Sequence, residues 1–440
     1  MSLSFVSTRE GVRRSLPAAL LQGLAEDGGL YVPESLPRFT AADFAGATTL
    51  TAIAERYLEP FFEGTELAAD LAEICRETFV FPIPLTAIDR GNAAERLFLL
   101  ELFHGPTAAF KDVGARFLAA CMSRLVQRDD DEPPVTILVA TSGDTGGAVA
   151  AAFHRRPGFE VGVLFPLDRV SPRQQQQLTC WGDNIRAFAV HGNFDDCQRL
   201  VKAAFADVQL GTEFRFSSAN SINIGRLLPQ SVYYAHASLL HYRDTGKPLA
   251  LVIPTGNLGN GLAAVLARAA GLPIADIVFA TNANRTIPDY FASGQYEARA
   301  TEPTLASAMD VGNPSNMERL RFLFGEVDEL TGLVSAASVD DAAIRTSLKA
   351  TYDEFGLAVC PHTATGFDVW RHLAEERRTA HDWAIAATAH PAKFETVVEP
   401  LLERPVEIPP ALAALLDAPA SFVEIEPSLD AFKSALRGAR

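Results

Sequence analysis

The sequence has 440 residues, enough for two or three domains of ordinary size, and 48% of them are hydrophobic while 21% are charged. This balance is typical of a globular protein with a large core. The formal net charge of −16 argues against a nucleic-acid partner and against an anionic membrane surface, although it leaves room for one local basic pocket.

The cysteine usage and the lack of targeting segments indicate a compartment. The five cysteines are scattered, and no two have the spacing of metal ligands, so we predict reduced thiols and no metal site. The first residues lack the apolar segment of a secretory signal, and no apolar run approaches the ~20 residues of a membrane helix. We therefore expect a cytoplasmic protein.

The first section of the chain, residues 1–95, is predicted to be an N-terminal extension. An Asp-Gly-Gly turn at 27–29 leads into a short extended segment at 30–33. Residues 41–59 and 65–78 have the apolar spacing of helices. Nothing in this section indicates chemistry of its own.

A single lysine follows an apolar turn. The strand predicted at 97–103 runs into the turn at 104–110, and helical apolar spacing begins after Lys111. Because the preceding alanines and Phe110 provide no charge to solvate the ammonium, desolvation would lower its pKa and raise the fraction of free amine. An isolated Phe-Lys pair is ordinarily a solvated lysine at a helix start, so the interpretation depends on the motifs that follow.

The next motif is a strand, a Gly/Ser/Thr turn and a helix. Residues 135–140 form a β-branched run typical of a buried parallel strand, and the turn at 141–147 precedes a helix at 148–153. Bare backbone N–H groups at such a helix start can bind an anion. The alternative is an ordinary turn in which an acidic or hydroxyl side chain caps the helix. The candidates are Ser142, Gly143, Asp144 and Thr145.

The alternation of strand and helix continues through strands predicted at 161–165 and 185–190. Residues 217–226 then predict the start of one long helix that reaches about residue 242, capped by Asn220 or Ser221. Arg226 lies within about two turns of that positive end, near enough to face the same anion. The alternative is a capped helix with a solvated arginine.

A second candidate anion site follows the strand predicted at 249–253. The segment 254–261 contains three glycines and two asparagines before a helix at 262–269. Glycine lets the backbone approach a phosphate closely, and the pattern is neither a P-loop nor a dinucleotide fingerprint. We favour a phosphate cradle over a plain turn.

Two later stretches complete the set. The polar turn at 307–316 is expected to line the site. The strand predicted at 384–388 ends in Thr388, whose hydroxyl could hydrogen-bond a ring nitrogen or cap the helix that follows 389–394. A desolvated lysine with a glycine-rich cradle indicates pyridoxal 5′-phosphate, which needs a lysine, phosphate donors and a partner for its pyridine nitrogen. The other anion site would then hold an anionic substrate.

Taken together, these motifs resemble the threonine synthase family of the long, bacterial and yeast type. Two residues of the cradle depart from the family, because Leu258 and Asn260 stand where phenylalanine and aspartate are common; we expect only tuning of the cofactor. The stretches that carry the resemblance keep the family's order along nearly the whole chain: 27–33, 101–112, 140–147, 218–226, 254–260, 307–311 and 388–394.

The resemblance implies a fold and a domain organisation. It implies an α/β, fold-type II pyridoxal-phosphate enzyme similar to the tryptophan synthase β subunit, with two open α/β domains and the cofactor between them. The implied domains are an N-terminal extension (1–95), a large cofactor-binding domain (96–134 and 236–440) and a small domain (135–235). The oligomeric state, monomer or homodimer, stays open.

The resemblance also implies a role for each candidate. Lys111 would bond the cofactor and act as the catalytic residue, and Thr388 would face the pyridine nitrogen. The cofactor phosphate would be held by Gly256, Asn257, Leu258, Gly259 and Asn260. The substrate carboxylate would be held by Ser142, Gly143, Asp144 and Thr145. The substrate phosphate would be held by Asn220, Ser221 and Arg226.

The implied reaction is the γ-elimination of phosphate from O-phospho-L-homoserine and the β-addition of water to give L-threonine. One alternative is a threonine synthase-like phospho-lyase or dehydratase, which shares the lysine and the cradle but releases a 2-oxo acid. Another is a binding or regulatory protein on the same fold. The intact lysine and cradle argue against it.

Overall fold

The computed structural model describes residues 3–88, 96–126 and 133–438. The acidic run at 129–132, which the sequence predicts to be an exposed loop, lies outside the described residues. Within the described ranges, no helix is both long and apolar enough to span a bilayer. In these ranges the chain forms three separate sheets, with helices packed around two of them.

Fourteen strands of the described part of the chain build the three sheets. They are β1 (Phe5–Ser7), β2 (Arg13–Arg14), β3 (Tyr31–Pro33), β4 (Leu85–Ile88), β5 (Leu97–Glu101), β6 (Val135–Ala140), β7 (Phe159–Pro166), β8 (Ile185–Val190), β9 (Arg215–Ser218), β10 (Leu249–Pro254), β11 (Ile274–Thr281), β12 (Ser335–Ser338), β13 (Asp382–Ala387) and β14 (Val423–Ile425).

The α-helices found in the described residues are α1 (Leu16–Gln22), α2 (Leu50–Phe62), α3 (Leu71–Thr78), α4 (Lys111–Val126), α5 (Asp144–Phe153), α6 (Pro172–Thr179), α7 (Phe194–Ala206), α8 (Val208–Glu213), α9 (Ile224–Leu227), α10 (Gln230–Thr245), α11 (Gly259–Ala269), α12 (Thr286–Ser293), α13 (Asn316–Phe324), α14 (Val327–Leu330), α15 (Asp341–Phe355), α16 (Pro361–Arg371), α17 (Glu375–Ala380), α18 (Glu395–Leu402), α19 (Pro410–Leu416) and α20 (Leu429–Gly438). Short 3-10 helices occur at Ala41–Phe44, Ala68–Asp70, Ser307–Met309 and Pro391–Phe394.

The two larger sheets are mostly parallel. One has the order β12-β11-β10-β13-β5-β4, in which only β4 is antiparallel to its neighbour. The other has the order β14-β8-β7-β6-β9 and is parallel throughout. The central strands β6, β10 and β13 are buried along their whole length, which explains their continuous apolar sequence. The third sheet, β2-β1-β3, is antiparallel and belongs to the N-terminal section.

The structure differs from the sequence-based expectation in the helix after β9. The predicted long helix is divided into α9 and α10, with Pro229 between them. The cap is Asn223, whose side chain accepts a hydrogen bond from the Gly225 N–H, and not Asn220 or Ser221. Asn220 and Ser221 therefore lie in the loop before the helix, where their side chains are free of the capping role.

The C-terminal segment also differs from the expected division. Strand β14 pairs with β8 in the five-stranded sheet, although the sequence assigns residues 236–440 to the large domain. Helix α20 packs on α7 of the same sheet, and its Phe432 ring meets that of Phe188 in β8. Strand β14 has only three residues, and its Val423 is half exposed, so no apolar run marks it in the sequence.

Candidate active site

The loops that follow β5, β6, β9, β10 and β13 surround a cavity of about 1130 Å³. Ligands of open α/β sheets bind at the carboxyl ends of the strands, and here the ends of two sheets face each other. Of the candidates from the sequence, only Gly143 does not line the cavity. Those that do are Lys111, Ser142, Asp144, Thr145, Asn220, Ser221, Arg226, Gly256, Asn257, Leu258, Gly259, Asn260 and Thr388.

The lysine loop is fixed to the end of β13. The Phe110 N–H donates to the Thr388 carbonyl at 2.9 Å, and the His390 N–H donates to the Ala108 carbonyl at 3.0 Å. Inside the loop, Asp112 accepts hydrogen bonds from the Thr107 N–H and hydroxyl. Helix α4 begins at the lysine itself. The loop therefore holds Lys111 and Thr388 on adjacent segments.

Lys111 is half-buried and opens onto the cavity. Its Nζ lies 5.7 Å from the centroid of the Phe110 ring and has no hydrogen-bond partner in the part of the chain that the structure describes. Burial lowers the pKa of Lys111 to about 8; the Asp144 carboxylate opposes this shift, and the Arg226 cation adds to it. About a tenth of the amine is thus unprotonated at pH 7 and about half of it near pH 8, far more than for a solvated lysine.

The glycine-rich turn after β10 forms the start of α11. Leu258, at the N-cap, has a φ of +63°, and Gly259 and Asn260 are the first residues of the helix. Their N–H groups have no partner within the helix and lie at its positive end. The start of α11 is therefore chemically suited to an anion, and the helix begins three residues earlier than the sequence predicts.

Gly256 is required by a close approach of two backbones. A Cβ at this position would lie 2.5 Å from Met309 Cα and 2.8 Å from its carbonyl oxygen. We expect Gly256→Ala to lower the free energy of unfolding by about 1–3 kcal/mol. Gly211→Ala is the control, because a Cβ added there in helix α8 would have no other atom within 4 Å, and it should leave stability unchanged or raise it. Denaturant unfolding of the two apoproteins, followed by circular dichroism, measures both; equal stabilities would contradict the expectation.

The side-chain nitrogen Nδ2 of Asn260, in the segment 256–260, has no acceptor among the described residues. Its Oδ1 accepts hydrogen bonds from the hydroxyls of Tyr233, at 2.5 Å, and Tyr234, at 2.8 Å. Its Nδ2 is buried and unpartnered among the described residues. An unsatisfied buried donor is costly, so an acceptor supplied by a ligand would stabilise this arrangement.

The turn after β6 leads into a second helix start that is chemically suited to an anion. Gly143 has a φ of +137°, a conformation open to glycine, and precedes α5 as its N-cap. The Thr141 hydroxyl accepts hydrogen bonds from the N–H groups of Gly143 and Gly146, both at 2.9 Å. The turn is thereby held rigid with Ser142 and Thr145 facing the cavity.

The carboxylate in this turn is already paired. Asp144 Oδ1 lies 2.8 Å from the Nζ of Lys393, which comes from the short helix after β13. Both side chains are buried, and although burial alone would raise the pKa of Asp144, Lys393 and Lys111 hold it below its ordinary value. The sequence motif at 389–394 contains Lys393, but sequence reasoning gave this lysine no role.

Helix α9, which follows the loop after β9, brings a buried cation to the cavity. Arg226 is 2% exposed; its Nη1 donates to the Ala219 carbonyl, and its Nε has no partner among the described residues. Burial lowers the pKa of Arg226 to about 10, so the guanidinium remains charged at neutral pH. Asn220 Oδ1 is also buried and unpartnered within the described ranges. The Ser221 hydroxyl accepts a hydrogen bond from Asn257 Nδ2 at 2.6 Å, which joins this loop to the cradle.

Two residues that sequence reasoning missed organise the site. Arg319, fully buried in α13, donates to the carbonyls of Ser221 and Ile222 and so fixes the loop after β9. His362, at the start of α16, accepts from the Ala308 N–H through Nε2, and burial lowers its pKa to about 4. No local sequence pattern singles out either residue, because the groups that they contact are distant in the sequence.

Comparison with known proteins places the chain in a family. Residues 77–387 match the family described as pyridoxal-phosphate dependent enzyme. Residues 4–79 match the threonine synthase N terminus, and residues 363–436 match the C-terminal region of threonine synthase. The threonine synthase of Escherichia coli K12 is 38% identical over 408 residues, which cover 92% of each chain. The chain belongs to the threonine synthase family.

Other threonine synthases agree with this assignment. That of Pseudomonas aeruginosa is 36% identical, and the alignment covers 90% of each chain. The crystal structure of pyridoxal-phosphate-bound threonine synthase from Brucella melitensis superposes with a TM-score of 0.90 at 34% identity, covering 100% of this chain and 99% of that one. The yeast enzyme superposes with a TM-score of 0.91 at 28% identity and the same coverage.

The family membership confirms the expected class of enzyme. The chain has the α/β fold of fold-type II pyridoxal-phosphate enzymes with an N-terminal extension, and it is a pyridoxal-phosphate-dependent lyase that forms threonine. The residues present fit this cofactor: the Lys111 amine and the buried Nδ2 of Asn260 have no hydrogen-bond partner in the described part of the chain, and both residues line the cavity together with the start of α11.

Proposed function

We propose that the chain converts O-phospho-L-homoserine and water into L-threonine and phosphate, with Lys111 as its catalytic residue. The observation that carries this proposal is that the free amine, two anion sites and a buried arginine line one cavity. Lys111 would bond the cofactor, and the cofactor phosphate would be held by Gly256, Asn257, Leu258, Gly259 and Asn260. Thr388 would hydrogen-bond the pyridine nitrogen through a neutral hydroxyl.

The two remaining loops would hold the two ends of the substrate. We assign the substrate carboxylate to the turn Ser142, Gly143, Asp144 and Thr145. Because the Asp144 carboxylate is paired with Lys393, this residue would contribute its backbone N–H and not its side chain. The substrate phosphate is assigned to Asn220, Ser221 and Arg226, and the charge and free Nε of the arginine support this choice.

Lys111 would move protons at the α-carbon of the substrate. Bound pyridoxal phosphate delocalises the negative charge left when a proton is removed next to it. Lys111 would take the proton from Cα and later return one there, for which a pKa near 8 is well suited. Loss of a proton from Cβ and cleavage of the Cγ–O bond would release phosphate with the bonding electrons. A proton would then add at Cγ, which becomes the methyl group, and water would add its hydroxyl at Cβ and release its other proton.

Product analysis tests this function directly. We expect the cofactor-loaded enzyme to release phosphate and L-threonine from O-phospho-L-homoserine in equal amounts. Colorimetric phosphate assay, amino-acid analysis and 2-oxobutyrate reduction by a coupled dehydrogenase measure the three products in one sample. Phosphate matched by 2-oxobutyrate would instead identify a lyase that fails to add water at Cβ.

The organisation of the chain is proposed on related grounds. The three sheets support an N-terminal extension, a large domain at 96–134 and from 236 onward, and a small domain at 135–235. The extension predicted at 1–95 is proposed to end before residue 85, because β4 (Leu85–Ile88) pairs with β5 in the six-stranded sheet. The pairing of β14 with β8 favours adding residues 423–438 to the small domain. The five free cysteines support a cytoplasmic location, and the net charge supports the absence of a nucleic-acid partner.

A further inference from the structure

A second lysine lies beside the proposed catalytic one. Lys393 is 0% exposed, and its Nζ contacts two groups: the Asp144 carboxylate at 2.8 Å and the Thr107 carbonyl at 2.6 Å. Asp144 Oδ1 also accepts from Gln174 Nε2 at 3.1 Å. A buried ammonium is costly unless it is paired and hydrogen-bonded, and here both conditions are met.

The contacts of Lys393 join three loops of the site. Thr107 belongs to the turn that leads to Lys111, Asp144 opens α5, and Lys393 itself follows the end of β13. The Thr107 carbonyl also accepts from Gln177 Nε2 at 3.1 Å, so α6 supports the same point. The ammonium therefore fixes the relative positions of the lysine turn and the turn assigned to the substrate carboxylate.

The ion pair between Lys393 and Asp144 also affects the pKa of Lys111. Without Lys393, the buried Asp144 carboxylate would keep the hydrogen bond from Gln174 but lose its ion-pair partner at 2.8 Å, and the Lys111 amine would carry more of its charge compensation. The Asp144 carboxylate raises the pKa of Lys111, whereas Arg226 and Lys393 lower it. The titratable and charged groups that face these two lysines are Asp112 on α4, Asp144 on α5, Arg226 on α9, His362 on α16 and His390 beside Lys393.

We propose that Lys393 is a positioning residue that occupies the Asp144 carboxylate, so that this carboxylate does not capture the amine of Lys111 as an ion pair. The proposal rests on the proposed role of Lys111. In this proposal Lys393 does not contact the substrate. Its effect on the reaction is exerted through Asp144 and through the position of the Thr107 carbonyl.

The test measures how readily Lys111 captures the cofactor at different pH values. Full-length apoprotein is mixed with pyridoxal phosphate, and the growth of the visible absorbance band reports condensation of the unprotonated amine with the aldehyde and loss of water. In the unsubstituted protein the rate should rise with pH through a midpoint near 8, because the protonated amine does not react. In Lys393→Met the midpoint should move up by about one pH unit.

Three further variants separate electrostatics from structure. Lys393→Met with Asp144→Asn removes both charges and should return the midpoint to about that of the unsubstituted protein. Lys393→Arg keeps the cation and should retain the unshifted midpoint. Asp144→Asn alone should lower the midpoint, which gives a measurement even if Lys393→Met does not fold, as judged by circular dichroism.

The outcomes are distinct for this proposal and for the role of Lys111. An unshifted midpoint in a folded Lys393→Met protein would overturn the proposal, as would a double variant that keeps the raised midpoint. If Asp144→Asn left the midpoint unchanged, the electrostatic argument would also be wrong. A visible band that persists in Lys111→Ala would overturn the proposed function instead, because another amine would then be bonding the cofactor.

Discussion

Replacing Lys111 with alanine is expected to lower kcat by about a thousandfold or more and to remove the visible absorbance band of the loaded enzyme. In the proposed mechanism both effects have one cause, because the amine that would bond the cofactor would also move the proton at Cα. The measurements are steady-state turnover of O-phospho-L-homoserine and an absorbance spectrum of the dialysed protein.

The fold should survive this substitution. Lys111 Nζ has no hydrogen-bond partner in the described residues, and burial without a partner is unfavourable for its charge. We therefore expect the free energy of unfolding of the Lys111→Ala apoprotein to be unchanged or slightly higher. Lys202→Ala is the matched control, since this exposed lysine lines the same cavity and should keep both the band and the activity. Loss of the band in both variants would contradict the assignment.

Replacing Arg226 with methionine is expected to lower kcat/KM for O-phospho-L-homoserine by about 100-fold or more. Methionine keeps much of the apolar length of the side chain but removes a buried cation whose Nε has no partner among the described residues. The substrate phosphate would then be desolvated without its charge-assisted hydrogen bonds. Initial rates at several substrate concentrations measure this change.

Two controls make the Arg226 result specific. The visible band of the bound cofactor should remain, because Arg226 is assigned to the substrate phosphate and not to the cofactor. Arg321→Met should change kcat/KM less than about threefold, since Arg321 lines the cavity but already pairs with Glu326 at 2.7 Å. An Arg226→Met enzyme with unchanged kcat/KM would show that the substrate phosphate binds elsewhere.

The sequence predicts most of the elements that carry the site because those elements are locally encoded. Strand β8 has the predicted bounds, and β6, β10 and β13 are found where continuous apolar runs precede small-residue turns. The lysine turn, the cradle and Thr388 follow such runs, so their position at the carboxyl ends of parallel strands could be inferred from the sequence alone.

The features that were missed depend on contacts between distant parts of the chain. Asp144 and Lys393 form an ion pair although they are far apart in the sequence, so no local sequence pattern predicts their contact. The capping of α9 by Asn223 depends on which of several neighbouring polar side chains reaches the Gly225 N–H. In both cases tertiary geometry selects among side chains that are chemically equivalent in the sequence.

The late position of β14 in the sequence leaves one edge of β8 unpaired while the chain is being synthesised. Strands β6 to β9 leave the ribosome early. One neighbour of β8, strand β14, emerges only after residues 219–422 have been synthesised. Until then the backbone N–H and C=O groups along that edge of β8 have no strand beside them, and such an edge can pair with another chain. The nascent protein would thus expose an unpaired strand edge while residues 219–422 are synthesised, until β14 pairs with β8.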